Sequence, residues 1–196
     1  MNRYFYDTEF LEDGKTVELI SIGIVCQDGR EYYAVNSELP IERIRGDDWL
    51  LRNVMPHLPV RGMTSLKSYI ENPPNRHPRP SVGYVDVDRE DPRVKPHWVI
   101  RNEVREFMAV GNEGDPKAEL WADYAAYDHV ALAQLFGRMI DLPEWIPMYT
   151  NDFQQLLREL GNPEIPAHQS WAHNALEDAR HLKACFDAVR PGGEPA

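Results

Sequence analysis

Cysteine is nearly missing from this chain: Cys26 and Cys185 are the two thiols in 196 residues. Two thiols cannot build a disulfide framework or a zinc cage, and both lie in apolar-patterned segments, as buried thiols of a reducing compartment do. No apolar run approaches the roughly 20 residues needed to cross a bilayer. The start, Met1-Asn2-Arg3-Tyr4-Phe5-Tyr6-Asp7, lacks the apolar stretch of a secretory signal. A cytoplasmic protein without membrane contact is the expectation. Basic residues are scarce too: 21 Lys/Arg stand against 32 Asp/Glu, a formal net charge of −11. That balance excludes a protein that coats nucleic acid through many phosphate contacts. It leaves room for an enzyme gripping one strand end, because carboxylates that bind divalent metal are neutralised when loaded. The deficit is also uneven. Residues 60–105 hold nine Lys/Arg and six Asp/Glu, a balance of +3, which leaves −14 for the remainder.

The chain has the length of one domain able to bury its own core. Residues 3–7 read as a short aromatic strand, Val17 to Val25 as a second and Glu31 to Val35 as a third. Asp28-Gly29 supplies the tight hairpin turn between the last two. A helix is expected from Ile44 to Met55. Residues 56–96 then carry eight of the sixteen prolines, which reads as a Pro-rich insertion forming an elaborated surface loop, with local strand around Val82 to Val87. Helical spacing of apolar residues returns over His97 to Met108, Tyr127 to Arg138, Phe153 to Leu160 and Ala172 to Val189. Ala118 to Ala122 is a short apolar strand, and 191–196 reads as a disordered tail. The fold class is α/β, a central mixed sheet flanked by helices.

Three acidic sites stand out. Asp7 and Glu9 are two apart on the first strand, so their side chains share a face and would repel one another. A hard divalent cation relieves such a pair, although a strand end entering solvent also carries acids. Asp128 opens a helix whose next turns on that face are Leu132 and Leu135, which leaves an N-cap or a buried role open. Asp178 borders the apolar stripe Ala175, Ala179, Leu182, Phe186 and Val189, with no Lys or Arg at 174, 175, 181 or 182. A metal or a distant partner must satisfy it. His173, five residues earlier, cannot share a helical face with Asp178 and must lie in the preceding loop or first turn to reach the same cleft. An imidazole there suits a general base at neutral pH, and an exposed loop histidine is the plain alternative.

In this order, Asp7-x-Glu9, Asp128 after a Trp-Ala strand, and His173-x₄-Asp178 resemble the three motifs of the DEDDh exonuclease group of the RNase H-like superfamily. That group includes RNase T, oligoribonuclease and the proofreading exonuclease of bacterial DNA polymerase III. Phe5-Tyr6-Asp7-Thr8-Glu9-Phe10 and Leu120-Trp121-Ala122-Asp123-Tyr124-Ala125-Ala126-Tyr127-Asp128 look most like a small bacterial group of RNase T-like 3′-5′ exoribonucleases. The resemblance implies an RNase H-like fold over residues 1–190 and two Mg²⁺ or Mn²⁺ ions held by Asp7, Glu9, Asp128 and Asp178. It also implies His173 as the base, release of nucleoside 5′-monophosphates from RNA 3′ ends, and a homodimer. Phe10, beside the acidic pair, is a candidate to stack on the terminal base. A DNA-directed exonuclease of the same mechanism and a catalytically silent nucleic-acid-binding module are the alternatives. A phosphatase of the haloacid dehalogenase type would need Asp where Glu9 stands.

Overall fold

The alternation of apolar residues near the N-terminus produces three successive strands in the structure, a computed structural model: β1 (Arg3–Glu12), β2 (Val17–Cys26) and β3 (Glu31–Asn36). They form an antiparallel meander, with Asp7 opposite Gly23 and Glu9 opposite Ser21. Gly29 turns the second hairpin at φ 90°. The near-continuous apolar run of β2 reflects a strand covered on both faces. The structure describes residues 2–71, 84–110, 118–168 and 173–190. The expected tail, and residues 72–83 of the insertion, lie outside them.

The single helix expected over Ile44 to Met55 is two, α1 (Ile41–Arg45) and α2 (Asp48–Asn53). Asp47 interrupts it by accepting hydrogen bonds from the backbone of Trp49 and Leu50, an N-cap that starts a new helix. The surface loop expected over 56–96 is corrected over its first part, while the local strand expected around Val82 to Val87 is met at Asp86–Val87. A 3-10 turn (Met55–His57) leads into β4 (Val60–Arg61) and α3 (Met63–Glu71). β5 (Asp86–Val87) pairs with β4, and β6 (Val94–Lys95) joins the central sheet beside β3. The reason lies in where the prolines fall. Residues 60–72 contain none, and α3 occupies that window.

The rest follows as α4 (His97–Ala109), β7 (Glu119–Ala122), α5 (Ala126–Phe136), β8 (Asn151–Asp152), α6 (Phe153–Glu159) and α7 (Ala175–Val189). The central sheet has the order β6-β3-β2-β1-β7-β8 and is mixed, with β7, β8 and β6 added in parallel. Its two faces are covered by different helices. Tyr4, Tyr6, Ile22 and Ile24 pack under α4 and α5, while Phe5 and Trp121 pack under α6 and α7. The period of two along β1 therefore sends Phe5, Asp7 and Glu9 toward α7 and Thr8 toward α5.

How closely α7 approaches the sheet depends on one residue. A methyl group at Gly23 would lie 2.3 Å from the backbone nitrogen of Leu176 and 2.4 Å from the carbonyl of Ala175. Glycine lets the first turn of α7 rest on β2. Gly23 stands opposite Asp7, so this contact brings Asp178 to the acidic pair.

Candidate active site

β7 pairs only with Arg3, Tyr4 and Phe5 of β1, so the edge of β1 beyond them has lost its neighbour. At Thr8 that edge is closed by a side chain. Oδ1 of Asp128 accepts the Thr8 backbone N–H at 2.9 Å and the Thr8 hydroxyl at 2.6 Å. Asp128 lies in the first turn of α5, where the N-cap is Ala125. Of the two roles open to it, the structure gives the buried one: Asp128 is 5% exposed and does not cap its helix. Oδ2 is the oxygen left for a cation.

Asp178 lies in the first turn of α7, whose N-cap is Asn174, bonded to the Glu177 N–H. The helix dipole there favours a carboxylate. Its Oδ2 accepts the backbone N–H of His173 at 2.8 Å, and its Oδ1 meets His168 Nε2 at 2.7 Å. His173 lies just before α7, as the offset requires. Its backbone has φ 73°, a left-handed conformation costing roughly 1–3 kcal/mol for a side-chain-bearing residue. Tyr124, at φ 53°, shares both the conformation and the cleft.

Asp7, Glu9 and Asp178 each bring an oxygen within 4.8 Å of the others. Asp128 stands outside that trio yet close enough to raise Asp7. Burial pushes the Asp7 carboxyl well above the usual carboxylate range, and Asp128, Glu9 and Asp178 add to it in that order. Burial, then Asp178 and Asp128, push Glu9 up to about 8. Asp128 itself rises to about 6, burial outweighing the hydrogen bonds from Thr8. Among the described residues no Lys or Arg pairs with any of the four, and Asp178 has His168 alone. Hard oxygen donors crowded without a counter-charge fit a Mg²⁺ or Mn²⁺ ion.

The cleft over these acids encloses about 260 Å³ and is walled by Phe10, Trp49, Tyr124 and Tyr127 along with His173. Phe10 and Tyr127 rings lie 5.6 Å apart, and Trp49 meets the His173 ring edge-on at 4.8 Å. A second pocket of about 240 Å³ opens on the other side of Asp7 and Asp178, with Asp123, Gln154, His168 and His181 in its walls. All six residues expected at the site, Asp7, Glu9, Phe10, Asp128, His173 and Asp178, line the first cleft. Sequence reasoning missed Trp49, Tyr124, Tyr127 and His168. The unpaired Asp178 did signal a distant partner, though not which one.

A family model described as the 3′-5′ exoribonuclease Rv2179c-like domain matches residues 84–190, a span that holds Asp128, His173 and Asp178. The chain belongs to this Rv2179c-like 3′-5′ exoribonuclease domain family. Two relatives from Mycobacterium tuberculosis bring the comparison to particular proteins. They are the 3′-5′ exoribonuclease Rv2179c of strain ATCC 25618 / H37Rv and the 3′-5′ exoribonuclease MT2234.1 of strain CDC 1551 / Oshkosh. Each is 40% identical over 178 residues, covering 91% of this chain and 87% of the relative.

Proposed function

We propose that this chain is a metal-dependent 3′-5′ exoribonuclease of the DEDDh type on an RNase H-like fold, with residues 1–190 forming one exonuclease domain. The observation that carries the proposal is the meeting of Asp7, Glu9 and Asp178 within 4.8 Å, beside a buried Asp128 and, among the described residues, with no lysine or arginine paired to them. These four side chains would hold two Mg²⁺ or Mn²⁺ ions. Bound there, the ions supply a lowered pKa for a water and charge relief at the phosphate and the departing 3′-oxygen.

The remaining work falls to the chain's own groups. His173 takes the proton of the attacking water, its ring steadied by Trp49 and its backbone tied to Asp178. Phe10 and Tyr127 offer a ring surface on which the terminal base stacks without sequence preference. Thr8 anchors Asp128 through two hydrogen bonds, so the acid does not reorganise as charge builds up. Nucleoside 5′-monophosphates leave one at a time.

The resemblance to RNase T and oligoribonuclease adds a homodimer to the proposal, which sedimentation velocity tests. A reducing cytoplasm suits Cys26 and Cys185, both buried free thiols. Among the described residues no helix is long and apolar enough to cross a membrane. The activity is tested with 3′-labelled and 5′-labelled RNA and DNA of one sequence in Mg²⁺ and in Mn²⁺. The 3′ label is expected to leave first as a mononucleotide, the 5′-labelled RNA to shorten stepwise, and EDTA or Asp7→Ala to stop both. Internal cleavage, turnover in EDTA, or faster loss of the DNA contradicts the reading.

A further inference from the structure

An acidic chain acting on a polyanion makes its unpaired cations informative. Arg30, Arg43, Arg61, Arg93 and Arg180, for instance, all sit in ion pairs. Among the described residues, Arg101 and Arg105 of α4 do not. Among the described residues, Arg101 reaches only the amide oxygen of its neighbour Asn102, at 3.4 Å. Arg105 lies 5.9 Å from the ring of Trp145. Four residues apart, the two arginines project from one side of the helix, and both are exposed.

They open onto a cavity of about 530 Å³, larger than either space at the acids, with Phe136, Pro143 and Trp145 in its walls. Two acids line it as well, Asp141 and Glu144. Asp141 is held by Arg138 at 2.9 Å, which leaves Glu144 against two free guanidiniums. Two exposed cations and aromatic walls are the chemistry that takes a phosphate and a base.

The position fits a strand that begins in the acidic cleft. Asp128 is in the first turn of α5 and Phe136 closes its last. Eight residues of helix span about 12 Å, roughly the length of three to four stacked nucleotides at about 3.4 Å each. Tyr127 and Val130, exposed by 50% and 41%, lie on the outward side of α5 near its acidic end. We propose that this cavity receives the part of the RNA strand upstream of the bound 3′ end, its phosphates on Arg101 and Arg105 and a base against Trp145. A protein partner is less suited, since the groups this cavity offers are exposed cations beside the far end of the helix that carries Asp128.

The proposal rests on the exoribonuclease reading, and two measurements on the full chain separate them. The first is anisotropy of a fluorescein-labelled 12-nucleotide RNA in EDTA, titrated over salt, for wild type and the double variant Arg101→Gln/Arg105→Gln. The variant is expected to bind roughly tenfold more weakly at low salt, and its log K against log[salt] slope to be shallower by about 1.4. The second is turnover with Mn²⁺. KM for the 12-mer is expected to rise about tenfold in the variant, with a dinucleotide hydrolysed as by wild type. Equal affinity and slope in the two proteins overturns the proposal. So does an equal loss on the dinucleotide, or a changed oligomeric mass with unchanged RNA affinity. If wild type hydrolyses nothing, the exoribonuclease reading fails, and the anisotropy still decides whether the cavity takes RNA.

Discussion

Replacing Glu9 with glutamine should stabilise the metal-free protein while abolishing its activity. Glu9 is buried and faces Asp178 and Asp128, which raises its carboxyl from 4.5 to about 8. At about 1.36 kcal/mol per pKa unit, the ionised group costs the fold roughly 5 kcal/mol at most. About 3 kcal/mol remains once neighbouring carboxyls share the protons. The folded state holds the Glu9 proton more tightly than the unfolded chain, so this cost grows as pH rises. It is absent below about pH 4.5, where both states are protonated, and complete above about pH 8. For a chain of this size, about 3 kcal/mol corresponds to roughly 6–12 °C. In EDTA, Glu9→Gln should therefore melt that far above wild type at pH 8.5, with the two nearly coincident at pH 4.5. Adding Mn²⁺ at pH 8.5 should raise the wild-type midpoint and close the gap. The assay is scanning fluorimetry over pH in EDTA and in Mn²⁺. A variant that melts below wild type at pH 8.5, or a gap that ignores pH, would refute the reasoning.

Other substitutions separate the parts of the site. Gly23→Ala forces the first turn of α7 away from β2, a clash with backbone that should cost about 1–3 kcal/mol or more. Activity should fall further than stability, measured by urea unfolding beside the nuclease assay. Thr8→Val removes the 2.6 Å hydroxyl bond to Asp128. Stability at pH 8 should drop by about 1.5–3 kcal/mol, and the apparent pKa of Asp128 should rise above about 6, read by carbon-detected NMR titration. His173→Ala should keep Mn²⁺ affinity by calorimetry and lose about 10²–10⁴-fold in single-turnover rate. Unchanged turnover would remove His173 from the chemistry.

What could be read from the sequence was whatever local periodicity records. Alternating residues in β1 already place Asp7 and Glu9 on one face, and the apolar stripe of α7 already marks Asp178 as an acid without a local partner. The five-residue offset puts His173 ahead of the helix, where it lies. Contacts between distant segments leave no such trace. Nothing near Asp128 shows that it replaces a missing strand at Thr8, 120 residues away. Nothing near Trp49 shows that α2 carries it to His173. His168 meets Asp178 through a loop with no repeating pattern, and Gly23 looks like any strand glycine until α7 is laid on it. The insertion misled for a different reason. Proline density was averaged over 56–96, while α3 needed only the proline-free stretch within it.

Anomalous scattering from Mn²⁺ in crystals of the full chain bears most directly on the claim that four acids from β1, α5 and α7 serve as one metal centre. Two peaks are expected, both contacted by oxygens of Asp7, Glu9, Asp128 or Asp178, and both lost in Asp7→Asn. An empty cleft at saturating Mn²⁺, or peaks that avoid Asp128 and Asp178, would contradict the account.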